Sequence, residues 1–124
     1  MAEDPRKKFG NFGEELAASF LKNRGYKIVE KNFVVKNLGE IDIVCKKGNK
    51  IIFVEVKTRS GNFFGSPEES ITPRKRRKLS QLAHSYLDIK KWHYKEFAID
   101  GVFIETKDEK YKIRHLENIV DESN

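Results

Sequence analysis

Alternating apolar and charged residues in the middle of the chain predict a β-hairpin. Residues 39–44 and 53–59 are two apolar, β-branched runs that carry charges at every second position. They flank residues 47–50, Lys-Gly-Asn-Lys, and a Gly-Asn pair between two alternating runs is typical of a two-residue hairpin loop. We therefore predict an antiparallel hairpin with Gly48 and Asn49 as its loop.

The loop also predicts the register of the hairpin. If Lys47 pairs with Lys50, Asp42 lies directly opposite Glu55 and Glu40 lies opposite Lys57. Side chains alternate between the two faces of a strand, so each face has its own set. The predicted core face holds Ile41, Ile43, Cys45, Ile52, Val54 and Val56, and the other face holds Glu40, Asp42, Phe53, Glu55 and Lys57.

The charged face has two interpretations. Like charges placed directly opposite are destabilising, so a stable fold needs a reason to keep Asp42 against Glu55. A divalent cation between the carboxylates is one reason, because hard oxygen ligands suit Mg²⁺ or Mn²⁺. The alternative is an ordinary solvated face, on which alternating charges need no function. Phe53 lies beside Glu55 and indicates that this face is only partly exposed to water.

Helical spacing predicts two helices. Apolar residues recur every four positions at Phe12, Leu16 and Phe20, which indicates a helix over about residues 9–24. Glu14 lies in its first turns, where the helix dipole alone is a sufficient reason for a carboxylate. A second helix begins with Thr72 as its cap and Pro73 as its first residue. Its apolar stripe consists of Leu79, Leu82, Ala83, Tyr86 and Leu87.

The remaining pattern predicts strands over residues 26–35, 97–105 and 111–115. A chain of 124 residues is long enough for one core without disulfides, so we expect a single domain over residues 1–124. Its ends, residues 1–8 and 118–124, are expected to be flexible. Phe63 and Phe64 lie in a polar, glycine-bearing loop, where they can anchor the loop, stack on a base or cover a dimer contact.

Composition limits the class of protein. The one cysteine excludes an internal disulfide framework and fits a cytoplasmic location. No apolar run approaches the length of a membrane span, and the amino terminus does not resemble a signal peptide. Lys and Arg number 25 against 19 Asp and Glu, a net charge of +6, so nucleic acid is a reasonable partner.

The cations concentrate at the start of the second helix. Five are consecutive: Arg74, Lys75, Arg76, Arg77 and Lys78. A solvated basic face is the common meaning of such a run, but here it opposes the helix dipole. A bound phosphate would relieve both the repulsion and the unpaired amides of the first turn, so we favour a phosphate-contacting patch.

The order of these elements resembles the PD-(D/E)XK nuclease superfamily, in which an Asp precedes Glu-X-Lys on the adjoining strand. Here these are Asp42 and Glu55-Val56-Lys57. Nearly the whole chain resembles a narrower group, the YraN family of small bacterial proteins akin to archaeal Holliday junction resolvases. The matching residues span about residues 10–104 and include Gly13-Glu14, Gly25-Tyr26, Asn32, Gly39-Glu40-Ile41-Asp42, Phe53-Val54-Glu55-Val56-Lys57, Arg59, Phe64-Gly65, Lys75, Ala83 and Leu87.

The resemblance implies a restriction-endonuclease-like α/β fold, with a mixed central sheet of about five strands flanked by helices. It implies a Mg²⁺- or Mn²⁺-dependent endonuclease that cuts DNA selectively by structure, such as branched or junction DNA. Asp42, Glu55 and the carbonyl of Val56 would hold the metal, and Glu14 would complete the site or help bind a second ion. Lys57 would orient the water or neutralise the developing negative charge, and its alternative role is an ion pair with Glu40. The resemblance also suggests a homodimer, and Arg59 with residues 74–78 would contact nucleic acid. The family's Arg-Phe-Asp is Ala98-Ile99-Asp100 in this chain, so the arginine is lost while Asp100 is kept and is expected near the site.

Two other functions compete with this one. A nucleic-acid-binding module without catalysis would keep the fold and the basic helix but not a working metal site. A membrane-surface protein is disfavoured, because the cations lie in one stretch rather than along a polar helix face.

Overall fold

A computed structural model describes residues 5–61, 70–92 and 96–120, with side chains in the first helix from residue 12 onward. Phe63 and Phe64 lie outside the described residues, as do residues 1–4 and 121–124 of the two chain ends. The helices and strands are α1 (Pro5–Asn23), β1 (Lys27–Val35), β2 (Gly39–Lys47), β3 (Lys50–Ser60), α2 (Pro73–Lys90), β4 (Phe97–Lys107) and β5 (Lys110–Leu116).

The five strands form one mixed sheet in the order β1-β2-β3-β4-β5. β3 and β4 run parallel, and the other neighbouring pairs are antiparallel. The parallel pair requires a crossover, and α2 supplies it on one face while α1 covers the other. The prediction of an α/β fold with a mixed sheet of about five strands between helices is confirmed.

The predicted hairpin register is confirmed over its loop-proximal half. The pairs run from Lys47 with Lys50 to Ile43 with Val54. Beyond that point the regular pairing ends, so the predicted pair of Asp42 with Glu55 is not part of the ladder. The Val56 N–H donates instead to Asp42 Oδ2 at 2.8 Å. The side chain of Asp42 therefore takes the place of a backbone acceptor between the two strands.

The expectation of one apolar and one charged hairpin face is wrong, because both faces of the sheet are covered. Ile41 and Phe53 pack in the cluster under α2, whereas Ile43 and Val54 pack in the cluster under α1. Tyr86 of α2 is fully buried, and its ring centroid lies 5.4 Å from that of Phe53. The face of the hairpin that α2 covers is therefore apolar near the loop and becomes charged only beyond Phe53.

Both helices follow the predicted pattern with small differences. Thr72 caps α2 by accepting a hydrogen bond from the Lys75 N–H at 3.1 Å, as predicted. The buried residues of α2 are the five predicted for its stripe, namely Leu79, Leu82, Ala83, Tyr86 and Leu87. α1 begins earlier than predicted, at Pro5, and buries Ala17 and Leu21 completely while Phe12 is 46% exposed. The expectation that Glu14 lies in the first turns is therefore wrong, and the dipole at the start of the helix does not explain this carboxylate.

The carboxyl-terminal segment is attached to β4 as far as the structure describes it. Asp100 accepts hydrogen bonds from the Asn118 N–H at 2.9 Å and lies 2.8 Å from His115 Nε2. The Ile119 N–H donates to the Ile99 carbonyl at 2.7 Å, and Val120 is buried. Residues 118–120 of the tail that was expected to be flexible are thus held on the sheet. Within the described ranges, neither helix has the length and apolarity needed to cross a membrane.

Candidate metal centre

Three carboxylates meet where β2 and β3 stop pairing. Glu14 of α1 and Glu40 and Asp42 of β2 each offer an oxygen atom, and these atoms lie within 4.8 Å of one another. Glu14 and Asp42 are half-buried, and Glu40 is exposed. The three side chains thus form an acidic cluster that is open to solvent on one side.

A close approach between α1 and β3 brings Glu14 to this cluster. A Cβ atom placed on Gly13 would overlap Thr58 Oγ1, so only glycine lets the helix lie this near the strand. Gly13 is itself buried. The glycine that precedes Glu14 therefore sets the distance between the helix and the carboxylates of the sheet.

Gly13→Ala tests this contact, because the close approach predicts a loss of stability where alanine would otherwise stabilise a helix. Alanine in an ordinary helix position would stabilise the protein by about 1 kcal/mol. Here we expect the free energy of unfolding to fall by about 1–3 kcal/mol, because the methyl group collides with a rigid β-branched neighbour. Urea denaturation measures the change, and adding Thr58→Ala should recover most of the loss. A Gly13→Ala protein that is more stable than wild type would contradict the close approach.

Burial and neighbouring charge disfavour ionisation of Asp42. Burial and then the nearby Glu55 raise the pKa of Asp42 from 3.8 to about 7, although the Val56 N–H opposes the shift. Burial likewise raises the pKa of Glu14, and a hydrogen bond from the Asn32 side chain works in the other direction. A bound cation would reverse these effects, since it favours the ionised carboxylates.

Glu55 lies next to this cluster with two lysines around it. Glu55 is 8% exposed, and its Oε1 lies 2.7 Å from Lys75 Nζ and 3.9 Å from Lys57 Nζ. The hydrogen bond to Lys75 and then burial lower the pKa of Lys57. Burial alone would lower the pKa of Lys75 too, but its hydrogen bonds to Glu55 and Lys57 raise it overall. These contacts therefore stabilise the protonated form of Lys75 and make Lys57 the less basic of the two lysines.

The structure brings Glu14, Asp42, Glu55 and Lys57 into one region, with the Val56 backbone against Asp42. Lys75 was predicted only as a phosphate contact, yet it belongs to this region through Glu55. Arg74, Arg76, Arg77 and Lys78 are exposed on the first turns of α2, and Arg59 lies half-buried on β3. Asp100 contacts His115 and the Asn118 backbone instead, so the structure shows it in a hydrogen-bonded structural pair.

Glu40 and Asn32 were not among the predicted site residues. The sequence placed Glu40 opposite Lys57, whereas the structure groups it with Glu14 and Asp42. The available signal was the alternation in Gly39-Glu40-Ile41-Asp42, which puts Glu40 and Asp42 on the same side of β2. For Asn32 the only signal was its place among the residues that match the family, because its contact to Glu14 depends on where α1 crosses β1.

The donor set fits a hard divalent cation. Carboxylate oxygens are the ligands that Mg²⁺ and Mn²⁺ prefer, and three of them converge here from two elements. No thiol competes, since Cys45 is buried in the core cluster under α1. A fourth carboxylate, Glu55, acts electrostatically on Asp42. The cluster could therefore hold such an ion without a change of fold.

Family comparison matches most of the chain. A model described as "Uncharacterised protein family UPF0102" matches residues 13–104. A UPF0102 protein of Syntrophomonas wolfei is 47% identical over 112 residues, which cover 90% of this chain and 96% of that protein. A UPF0102 protein of Clostridium botulinum strain Loch Maree is 44% identical over 115 residues, which cover 90% of this chain and 93% of that protein.

Two solved structures are similar in a more distant way. A crystal structure of SSO0001 aligns with a TM-score of 0.41 and 18% identity, covering 96% of this chain and 55% of that one. The structure of Pyrococcus furiosus SfsA in complex with Ca²⁺ aligns with a TM-score of 0.34 and 14% identity, covering 95% of this chain and 65% of that one. The chain therefore spans less than two thirds of the length of either protein.

Proposed function

Because the chain belongs to the UPF0102 family, the YraN family that its sequence resembles, we propose that it is a metal-dependent endonuclease that hydrolyses phosphodiester bonds in DNA. One observation carries the proposal. An oxygen of Asp42 lies within 4.8 Å of oxygens of Glu14 and Glu40, and Asp42 is also close enough to feel the charge of Glu55, which contacts Lys57 and Lys75. An acidic cluster beside paired lysines suits a reaction that needs an activated water and a stabilised phosphate charge.

The metal ligands proposed are Asp42, Glu55 and the carbonyl of Val56, with Glu14 and Glu40 completing the site. Asp42 is already oriented by the Val56 N–H, which leaves its second oxygen for an ion. A bound Mg²⁺ or Mn²⁺ would lower the pKa of a water molecule and draw charge from the phosphate oxygens. Glu14 and Glu40 add negative charge that favours a divalent over a monovalent cation.

Lys57 and Lys75 are proposed to act on the phosphate and the attacking water. Both ammonium groups form ion pairs with Glu55 Oε1. They are therefore adjacent to a proposed metal ligand, unlike the exposed cations of α2. Lys75, the more basic of the two, would neutralise developing negative charge. Lys57, whose pKa is lowered, would orient the water or accept its proton.

The surface cations are proposed to hold the flanking DNA backbone. Arg74, Arg76, Arg77 and Lys78 lie on the exposed turns that adjoin Lys75, and Arg59 follows Lys57 on β3. Contacts of this kind give affinity that falls with salt and carries no sequence preference. Selectivity would then come from the shape of the DNA, such as a branch or junction, and two symmetric cuts would need a homodimer. The expected location is the cytoplasm.

Cleavage assays test the proposal directly. Labelled four-way junction, flap, single-stranded and duplex DNA would be incubated with wild type and Glu55→Ala in Mg²⁺ or Mn²⁺. We expect wild type to cut at least one substrate, to stop when EDTA is added, and to lose at least about 100-fold of its rate in the variant. Glu15→Ala, an exposed carboxylate beside Glu14 on α1, is the matched control and should cut like wild type.

The same assay identifies the competing function. Salt-dependent binding of these substrates without cleavage, alike in wild type and Glu55→Ala, would establish a nucleic-acid-binding module and reject the nuclease. Cleavage that persists in EDTA would reject the metal-dependent mechanism. RNA substrates of the same shapes, run in parallel, decide between the two nucleic acids.

A further inference from the structure

Asn32 has an unusual backbone conformation in the interior of an edge strand. Its φ is +55°, in the left-handed region, whereas it lies well inside β1 (Lys27–Val35). The pairs on either side, Lys31 with Ile43 and Phe33 with Ile41, place it opposite Asp42. Left-handed conformations are uncommon for residues other than glycine and cost free energy, so something must hold this one.

The alternation of side chains in β2 also breaks at the level of Asn32. Ile41 packs under α2 and Ile43 packs under α1, although they are two residues apart and would share a face in a regular strand. Asp42 lies between them, at the level of Asn32. The break in alternation on the two strands therefore coincides with the acidic cluster.

The side chain of Asn32 contacts the acidic cluster. It hydrogen-bonds to the Glu14 carboxylate, which joins β1 to α1. Asn32 is exposed, so burial in the core does not account for its conformation. By contrast, Asn37 has a similar φ of +65° in the turn between β1 and β2, where a chain reversal calls for it.

We propose that Asn32 is a positioning residue of the metal centre, whose side-chain amide holds the Glu14 carboxylate against Glu40 and Asp42. The inference rests on the proposed function, since it deepens the same site. Three carboxylates within 4.8 Å repel one another, and Glu14 alone comes from a separate element. Without a tether, its side chain would turn away toward solvent.

The chemistry of an amide explains why an asparagine suits this position. Its NH₂ group donates a hydrogen bond to a carboxylate while remaining neutral. A lysine or arginine would also hold Glu14, but its positive charge would compete with a cation for the same oxygens. Asparagine also tolerates the left-handed backbone better than most residues. The residue thus orients one ligand without reducing the negative charge of the cluster.

Asn32→Gly tests the role of the side chain separately from the role of the backbone conformation. Glycine adopts a φ of +55° freely, so the fold should survive while the hydrogen bond to Glu14 is lost. Asn37→Gly is the matched control, because it makes the same substitution at a similar φ in the turn. Mn²⁺ affinity would be measured by isothermal titration calorimetry, and melting temperatures in EDTA would be recorded for all three proteins.

We expect Asn32→Gly to bind Mn²⁺ about tenfold more weakly than wild type, with a melting temperature in EDTA close to that of wild type. Asn37→Gly should retain wild-type affinity. Equal Mn²⁺ affinity of Asn32→Gly and wild type would overturn this inference and leave the proposed function intact. A wild type that binds no Mn²⁺ would overturn both the metal-dependent function and the role assigned to Asn32.

Discussion

Asp42→Asn is expected to lower DNA cleavage at least about 100-fold while leaving the protein without metal as stable as wild type, or more stable. The amide oxygen of asparagine can still accept the Val56 N–H, so the link between β2 and β3 is retained. The change removes one charge from a group of carboxylates that repel one another. It also removes a metal ligand, so stabilisation by Mn²⁺ should disappear.

The stability difference should depend on pH in a defined direction. The pKa of Asp42 is raised from 3.8 to about 7 in the folded protein by burial and by Glu55. Between these two values the folded state binds more protons than the unfolded state, so wild-type stability falls as pH rises. The asparagine that replaces Asp42 in the variant does not titrate. The variant should therefore match wild type at low pH and exceed it by about 1–4 kcal/mol above neutral pH.

Urea denaturation across this pH range, carried out once in EDTA and once in Mn²⁺ without EDTA, checks both parts. In wild type, Mn²⁺ binding requires an ionised Asp42, so the apparent affinity should increase as pH approaches the raised pKa. Glu15→Ala should follow the wild-type curve throughout. A variant that is clearly less stable than wild type above neutral pH in EDTA would contradict a charge-repelled Asp42.

The local signals predicted the elements well. Thr72 and Pro73 placed the start of α2 correctly, and the spacing from Leu79 to Leu87 predicted its buried face. The Gly48-Asn49 loop predicted the hairpin register near the turn. These predictions succeed because helix caps, apolar helix faces and tight turns depend mainly on residues that are close in sequence.

The geometry of the site was harder to predict because it depends on contacts between elements. A hairpin read alone gives no sign that α2 covers its second face, so Phe53 and Ile41 were not expected under one helix. The alternation rule also fails at Asp42, where the side chain replaces a backbone partner. Lys75 meets Glu55 only because α2 crosses the sheet at that point. Tertiary placement decided each of these features.

Lys75→Met tests the most consequential of these contacts. We expect the cleavage rate at saturating DNA to fall about 10- to 100-fold, because a cation beside Glu55 would be lost from the reaction centre. Mn²⁺ affinity should be unchanged or higher, since a positive charge next to the carboxylates is removed. The pKa of Lys57 should rise once Lys75 is gone, which would move the limb of the pH–rate profile that reports Lys57 toward higher pH.

Arg74→Met is the matched control, because Arg74 precedes Lys75 in the same turn but is exposed. It should weaken DNA binding a few-fold, most clearly at low salt, and leave the rate at saturating DNA unaltered. Single-turnover kinetics on whichever substrate wild type prefers would separate binding from chemistry. If Lys75→Met and Arg74→Met behaved alike, with both losses recovered by more DNA, Lys75 would be one phosphate contact among several. A rate loss confined to Lys75→Met would instead place α2, and not only the strands, in the catalytic machinery.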